Sequence, residues 1–344
     1  MPGSPLHAAI RRLASNESLT AEDTAAAFDV VMQGEATSAQ IGALLMGLRV
    51  KGETASEVTG GAQALRKAMV KLSADRPDEL VDTCGTGGGS VSTFNISTAA
   101  ALVAAGAGVR VAKHGNRSFT SSCGSADVLE ALGVRIELTP DEMARVLEEA
   151  GIVFMFAPLM HPAMRHVGPV RRELAIPTLM NVLGPLANPA SAGRQVIGVA
   201  DQARMPLLAG ALAALGSVHA LVVHGEPGMD ELSPLGLTRM LEVRRGTVMP
   251  LEVTPAELGL PVASADELAG GDPKANAARI SEILENKSRD GGRAAVLMNA
   301  GAALYVAGAT PGLREGVERA DRCLKEGAAV RALDRLREAA AKKA

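Results

Sequence analysis

The stretch "DTCGTGGGSVSTFNIST", residues 82–98, decides how the chain must fold. It carries four glycines and almost no bulk until Phe94, and runs straight into "AAALVAAGAG", residues 99–108, which reads as a buried helix. A glycine-rich loop abutting a helix N-terminus lets backbone N–H groups crowd around an anion. Asn95, Ser97 and Thr98 fall within one turn, where small polar side chains cap a helix and donate to phosphate oxygens. Ser97 can instead present its hydroxyl to Mg²⁺ beside such a phosphate. The loop is not a Rossmann fingerprint, since G-x-G-x-x-G with an acidic residue about twenty positions on is not met. Nor is it a P-loop, because no Gly-Lys-Ser/Thr closes it. Taken alone, such a run is also what a flexible turn looks like.

Upstream of this loop, residues 4–72 alternate short amphipathic runs with cap residues. Thr20, Thr37 and Thr54 each stand just before an apolar-periodic segment. No strand-like alternation appears, so residues 1–72 are expected to form a small α-helical domain, joined by a returning helical segment near 160–185. Residues 73–81, "SADRPDELV", are polar and read as a linker. Downstream the pattern changes. "RVAK" (110–113), "RIEL" (135–138), "IVFMF" (152–156), "RQVIGVA" (194–200), "HALVVHG" (219–225) and "AAVLMNAG" (294–301) are short β-prone runs separated by helical stretches. Capping boxes open helices at Thr139–Glu142, Thr254–Glu257 and Ser264–Glu267. Residues 78–344 are therefore expected to be a larger α/β domain around a mostly parallel central sheet.

Composition narrows the function classes. At 344 residues, 47% of them hydrophobic, the chain can bury a sizeable core. With no Trp, one Tyr and five Phe, that core must be aliphatic, and base-stacking platforms for single-stranded nucleic acid are disfavoured. A formal net charge of −3 supplies no basic field for nucleic acid or anionic membrane. Cys84, Cys123 and Cys323 follow neither a metal spacing nor a paired pattern, so reduced thiols are expected. The opening "MPGSPLHAAIRRLAS" lacks a secretory pattern, and no apolar run reaches the roughly eighteen residues of a membrane span. A cytoplasmic protein follows as the expectation.

Three further pieces carry chemistry. "VAKHGNRSFTSSCGSAD", residues 111–127, places Lys113, His114, Gly115, Asn116 and Arg117 after a strand expected to end at Ala112, where open α/β sheets hold ligands. Two cations, an amide and several hydroxyls make a polyanion cradle, although a solvated charged loop would read similarly. Asp230 and Glu231 are adjacent carboxylates that repel one another unless a cation sits between them. Beside a phosphate site that cation is naturally Mg²⁺, which binds through a few carboxylates plus substrate oxygens. Finally, "HPAMRHVGPVRRELAIPTLMNVLGPLANP", residues 161–189, contains Arg171, which matters if a carboxylate substrate must be gripped in bidentate fashion.

In this order the four pieces closely resemble the anthranilate phosphoribosyltransferases, over nearly the whole chain. "DTCGTGG", "TFNIST", "AKHGNRS", "GSADVLEALG", "HPAMRHVGPVRREL", "LGPLANP" and "MDEL" carry the resemblance. It implies transfer of the phosphoribosyl group of 5-phosphoribosyl-1-diphosphate (PRPP) to the amine of anthranilate, with release of pyrophosphate, in tryptophan biosynthesis. It implies a PRPP pocket of Gly85, Gly88, Gly89, Thr93, Asn95, Ile96, Ser97 and Thr98. Lys113, His114, Gly115, Asn116, Arg117, Ser118, Phe119, Thr120, Ser121 and Ser125 complete that pocket. Ser97, Asp230 and Glu231 match Mg²⁺ ligands, for two ions per monomer, and Gly85, Asn116 and Arg171 match residues that meet anthranilate. No residue matches as a certain catalytic acid or base; His114 is a candidate for positioning the amine. A homodimer with its active site between the two domains is implied as well.

The chain also departs from that pattern. The family's loop usually reads GTGGD followed by glycine, whereas Gly89 and Ser90 stand here, so a loop carboxylate is missing. Pro177 and Met180 replace a more usual basic residue and an aromatic. Of the rival readings, a pyrimidine nucleoside phosphorylase on the same scaffold needs neither the KHGNR loop nor an acidic pair holding Mg²⁺. A nucleic-acid-binding relative needs a basic groove that the net charge does not provide.

Overall fold

The structure, a computed structural model, describes residues 3–118 and 122–342. Three threonines start three of its first four helices. Thr20 accepts from the Asp23 N–H, and Thr37 and Thr54 complete capping boxes with Gln40 and Glu57. The helices are α1 (Pro5–Ala14), α2 (Ala21–Met32), α3 (Ser38–Lys51) and α4 (Ala55–Ala68). The chain continues through β1 (Val81–Gly85), α5 (Ile96–Gly106), β2 (Val111–Gly115), α6 (Ser125–Ala131), α7 (Pro140–Ala150) and β3 (Ile152–Phe156). Next come α8 (Ala157–Met160), α9 (Met164–Leu174), α10 (Met180–Leu183), β4 (Arg194–Gly198), α11 (Met205–Ala214) and β5 (His219–Gly225). A hairpin of β6 (Thr238–Arg244) and β7 (Thr247–Val253) precedes α12 (Pro273–Leu284), α13 (Gly291–Val306), α14 (Leu313–Lys325) and α15 (Ala328–Ala341).

The seven strands form one sheet in the order β3-β2-β1-β4-β5-β6-β7. The first five are parallel and the last two are antiparallel additions. Strand order reverses between β1 and β4, and a crevice opens at such a switch point beyond the strands' carboxyl ends. Both strands end in glycine there, Gly85 opposite Gly198.

Alternate residues of β4 send their side chains to two different cores. Val196 joins the core that α5, α13 and α15 build on one face of the sheet. Ile197 joins the core of the other face, which holds Leu44 and Leu48 of α3, Val58 of α4 and Leu208 of α11. Val167 and Val170 of α9 and Leu183 of α10 are buried in that same second core. The helical layer is thus welded to the sheet from below while the ends of the strands stay open.

Several elements differ from the sequence expectation. "RIEL" pairs with nothing: Val134, Ile136 and Leu138 are buried in alternation, but the segment lies outside the sheet. Its period of two reports one-sided burial rather than a ladder. "AAVLMNAG" is the middle of α13, a helix buried on nearly every side, so its uninterrupted apolar run mimics a buried strand. β1 runs through the start of the glycine stretch, and β6 and β7 were not anticipated. Their turn, Arg245–Gly246, has both residues at positive φ (48° and 84°), the geometry of a tight hairpin without the usual Asn-Gly signal. The capping boxes at Thr254 and Ser264 form, yet each opens only a single 3₁₀ turn. Among the described residues no helix is long and apolar enough to cross a membrane.

Candidate active site

A cavity of about 620 Å³ lies over the carboxyl ends of β1, β2 and β4, at the switch point. The glycine turn, the α5 N-terminus, the β2 end, α9 and the acidic loop after β5 all reach it. Gly87 and Gly88 adopt positive φ (70° and 79°), which only glycine takes without strain, and this folds the turn back over the cavity.

The acidic loop enters where side chains are missing. A β-carbon on Gly198 would fall 1.6 Å from the Asp230 carbonyl oxygen, and one on Gly85 would fall 2.5 Å from Asp230 Oδ2. Asp230 therefore sits directly on the two strand ends. Its Oδ2 accepts from the Gly87 N–H at 2.8 Å, while Glu231 Oε1 accepts from the Ser97 N–H at 3.1 Å. The two carboxylates thereby hold the glycine turn and the first turn of α5. Burial raises the Asp230 carboxyl above its usual range. Glu231 is pushed up to about 8, first by burial and then by the charge of Asp230, with Lys113 opposing. Two buried carboxylates forced together this way want a cation between them.

β2 extends three residues beyond the expected end at Ala112, so Lys113 and His114 lie within the strand. The Lys113 Nζ donates to the Thr83 carbonyl and, at 3.3 Å, to Ser97 Oγ. Burial lowers its pKa, and Asp82, Cys84 and Glu231 act against that shift. The imidazole of His114 packs 4.9 Å from that of His161, centroid to centroid. Burial and the His161 ring depress His114 to about 3, and burial depresses His161 to about 4. Both rings are neutral at physiological pH. The Nε2 of His114 has no hydrogen-bond partner among the described residues.

Gly85, Gly88, Asn95, Ser97, Thr98, Lys113, His114, Gly115, Asn116, Arg117, Ser118, Ser125, Arg171, Asp230 and Glu231 all line the cavity. Three of the expected residues do not. Ile96 is core, 1% exposed, the Thr93 backbone packs on Gly270, and Gly89 stands behind the turn facing Asp230. Phe119, Thr120 and Ser121 lie outside the described residues. Two roles also change. Asn95 does not cap α5 with its side chain; it bonds the Cys123 carbonyl and Asn276, because Glu231 already serves the α5 terminus. The guanidinium of Arg117 is held by Asp127 and Glu130 and lies 5.4 Å from the centre of the Phe156 ring, so most of its charge is spent within the protein.

Arg171, on α9, reaches the cavity from the helical side, and its guanidinium has neither a hydrogen bond nor an ion pair among the described residues. Burial lowers its pKa, which is the mark of a cation removed from water without compensation. Around it stand residues the sequence did not flag: Arg49 from α3, and Arg204 beside the buried Glu53 carboxylate at 3.7 Å. They come from segments with no local motif, and only the packing of the helical layer on this face of the sheet brings them together.

A helical layer welded beneath a mostly parallel sheet, with an anion cradle at its switch point, defines a class. The chain matches the glycosyl transferase family in both of its parts, the helical bundle domain over residues 7–69 and the a/b domain over residues 77–330. Within that class it is 48% identical to an anthranilate phosphoribosyltransferase of Rubrobacter xylanophilus, over 96% of each chain. The crystal structure of anthranilate phosphoribosyltransferase from Thermus thermophilus superposes with a TM-score of 0.92 at 43% identity, covering 97% of this chain and 99% of that one. The Saccharomyces cerevisiae enzyme, solved in complex with PRPP and Mg, superposes at 0.89 with 28% identity over 97% of each. The chain belongs to the anthranilate phosphoribosyltransferase family.

Proposed function

We infer that the protein transfers the phosphoribosyl group of PRPP to the amine of anthranilate, giving N-(5′-phosphoribosyl)anthranilate and pyrophosphate, a step of tryptophan biosynthesis. One observation carries the reading. A partnerless, half-buried guanidinium, Arg171, shares one cavity with an N–H cradle and an acidic pair. An anionic sugar diphosphate fits the cradle, and a small aromatic carboxylate fits the guanidinium.

The acidic pair fits Mg²⁺. Asp230, Glu231 and the Ser97 hydroxyl offer only oxygen donors, as a hard cation requires, and the burial that raises the pKa of both carboxylates is a penalty that a neighbouring cation would relieve. With fewer than three acidic, His or Cys side chains grouped among the described residues, substrate oxygens and water would complete the coordination. Bound Mg²⁺ supplies charge neutralisation for the pyrophosphate as it leaves. The family pattern extends the proposal to two ions per monomer and to a homodimer. It divides the chain into a helical unit of residues 1–72, joined by 160–185, and an α/β unit of 78–344, with the site between them.

The residues then have distinct tasks. Lys113 and the N–H groups of the glycine turn and α5 face the negative charge that develops on the departing group. Arg171 grips the anthranilate carboxylate. Asn116 spends its Oδ1 on the Arg117 N–H, leaving its amide nitrogen as the group it can offer a ligand. The aromatic amine is already unprotonated at neutral pH, so no strong base is needed. A neutral His114 agrees with this, since it can position the amine by a hydrogen bond but is not the imidazolium that a general acid at this pH would have to be. Holding both substrates in one cavity supplies much of the remaining rate.

The test is direct. Protein, Mg²⁺, PRPP and anthranilate are mixed, and loss of anthranilate fluorescence is followed alongside pyrophosphate release. The two signals should run in equal molar amounts. Unchanged fluorescence with folded protein overturns the reading.

A further inference from the structure

The acidic pair fills one N–H group in the glycine turn and one at the start of α5, the donors that the PRPP reading offers to a diphosphate. Gly87 donates to Asp230 Oδ2 at 2.8 Å, and Ser97, at the start of α5, donates to Glu231 Oε1 at 3.1 Å. These donors belong to separate anion cradles, one in the glycine turn and one at a helix N-terminus. Each is already occupied by a carboxylate of the chain itself. We propose that Asp230 and Glu231 determine specificity for the cation-complexed diphosphate over the free anion, by blocking both cradles until a divalent cation draws their carboxylates away. This rests on the PRPP reading above and deepens it.

The geometry leaves the pair little other freedom. The Asp230 backbone is seated on Gly198 and its carboxylate lies against Gly85 and Gly89, so a side-chain rotation is the motion open to it. A free diphosphate meets two obstacles: the charge of the pair, and donors that are already spent. A diphosphate arriving with a cation meets neither, because the carboxylates become cation ligands and the N–H groups are released to the phosphate. Bare electrostatic repulsion would supply the first obstacle alone, and the two are separable by substitution. Asp230→Asn removes the charge but keeps an oxygen that can accept from Gly87. Asp230→Ala removes charge and acceptor together.

The experiment is calorimetric titration of inorganic pyrophosphate into wild type, Asp230→Asn and Asp230→Ala in the presence of EDTA. Both variants should bind more tightly than wild type. Asp230→Ala should exceed Asp230→Asn by about fivefold, the size of one neutral hydrogen bond. A ratio below about threefold overturns the proposal, because charge alone would then account for the selectivity. Should Asp230→Ala not fold, crystals of wild type with and without Mg²⁺ and pyrophosphate decide the matter. The Gly87 nitrogen should part from the Asp230 carboxylate beyond about 3.5 Å in the loaded crystal, and an intact hydrogen bond there refutes the release. Failure of the wild type to bind pyrophosphate even with Mg²⁺ would instead remove the PRPP reading and this inference with it.

Discussion

Gly89→Asp puts a carboxylate where the family pattern usually has one and this chain does not. The residue is not in the left-handed region, so an aspartate fits its backbone. A β-carbon there would lie 3.2 Å from both Asp230 Oδ1 and the Gly228 carbonyl, tight enough that the turn must give by a few tenths of an ångström. The new carboxylate then stands about 5 Å from that of Asp230, where an effective dielectric near 20 makes one unit of charge worth roughly 3 kcal/mol before screening. Without a cation that energy opposes folding and diphosphate binding; with Mg²⁺ the same charge adds a ligand. The variant should therefore melt at a lower temperature than wild type in EDTA, and Mg²⁺ should recover more of its stability. Its half-saturating Mg²⁺ and its apparent affinity for PRPP should both shift, with anthranilate affinity little changed. Initial rates measured across a Mg²⁺ titration, with each substrate varied in turn, decide the matter. Superimposable Mg²⁺ curves, or a change confined to anthranilate, would show that position 89 does not face the metal–diphosphate site.

Arg171→Ala should raise the apparent KM for anthranilate about 10- to 100-fold, the worth of a charged hydrogen-bonding partner, and leave that for PRPP nearly unchanged; equal effects would make Arg171 a structural residue. Glu231 should govern the pH dependence of stability in EDTA. Its folded pKa, about 8, lies above the ordinary 4.5, so its contribution is complete below 4.5 and is lost as pH rises through about 8. Melts across that window should flatten in Glu231→Gln, and an unaltered slope would place the titrating group elsewhere. Gly198→Ala should cost about 3 kcal/mol or more in urea unfolding, since its methyl group collides with the Asp230 carbonyl oxygen; a cost below about 1 kcal/mol would mean the acidic loop is not fixed on β4.

Local chemistry made part of this legible in the sequence. Thr20, Thr37 and Thr54 mark helix starts because a cap needs only its neighbours three residues on. The glycine turn against the α5 N-terminus was legible because the two lie side by side in the chain. What depends on distant partners was not. "RIEL" alternates as a strand does and "AAVLMNAG" is an apolar run that a buried strand or a buried helix would show equally, and only the surrounding fold decides between them. The same limit hid Arg49 and Arg204, which reach one cavity, with Glu53 beside Arg204, only when the helical layer packs on the sheet. Asn95 looked like a cap for α5 because the competing carboxylate, Glu231, is far away in the chain.

The glycine stretch shows how a sequence reading can rest on an incomplete cause. Flexibility accounts for Gly87 and Gly88, which turn the chain at positive φ. Gly85 answers a different demand, shared by Gly198 on the neighbouring strand: a side chain at either position would overlap Asp230. Sequence alone cannot tell room made for a phosphate from room made for another part of the chain, because both appear as glycine. Here the two demands converge. The space that admits the acidic loop brings its carboxylates to the N–H groups of the turn and of α5, at the point where strand order reverses. The proposed anion cradle and the proposed cation site therefore arise from one close approach, and a change that loosens Asp230 must disturb both.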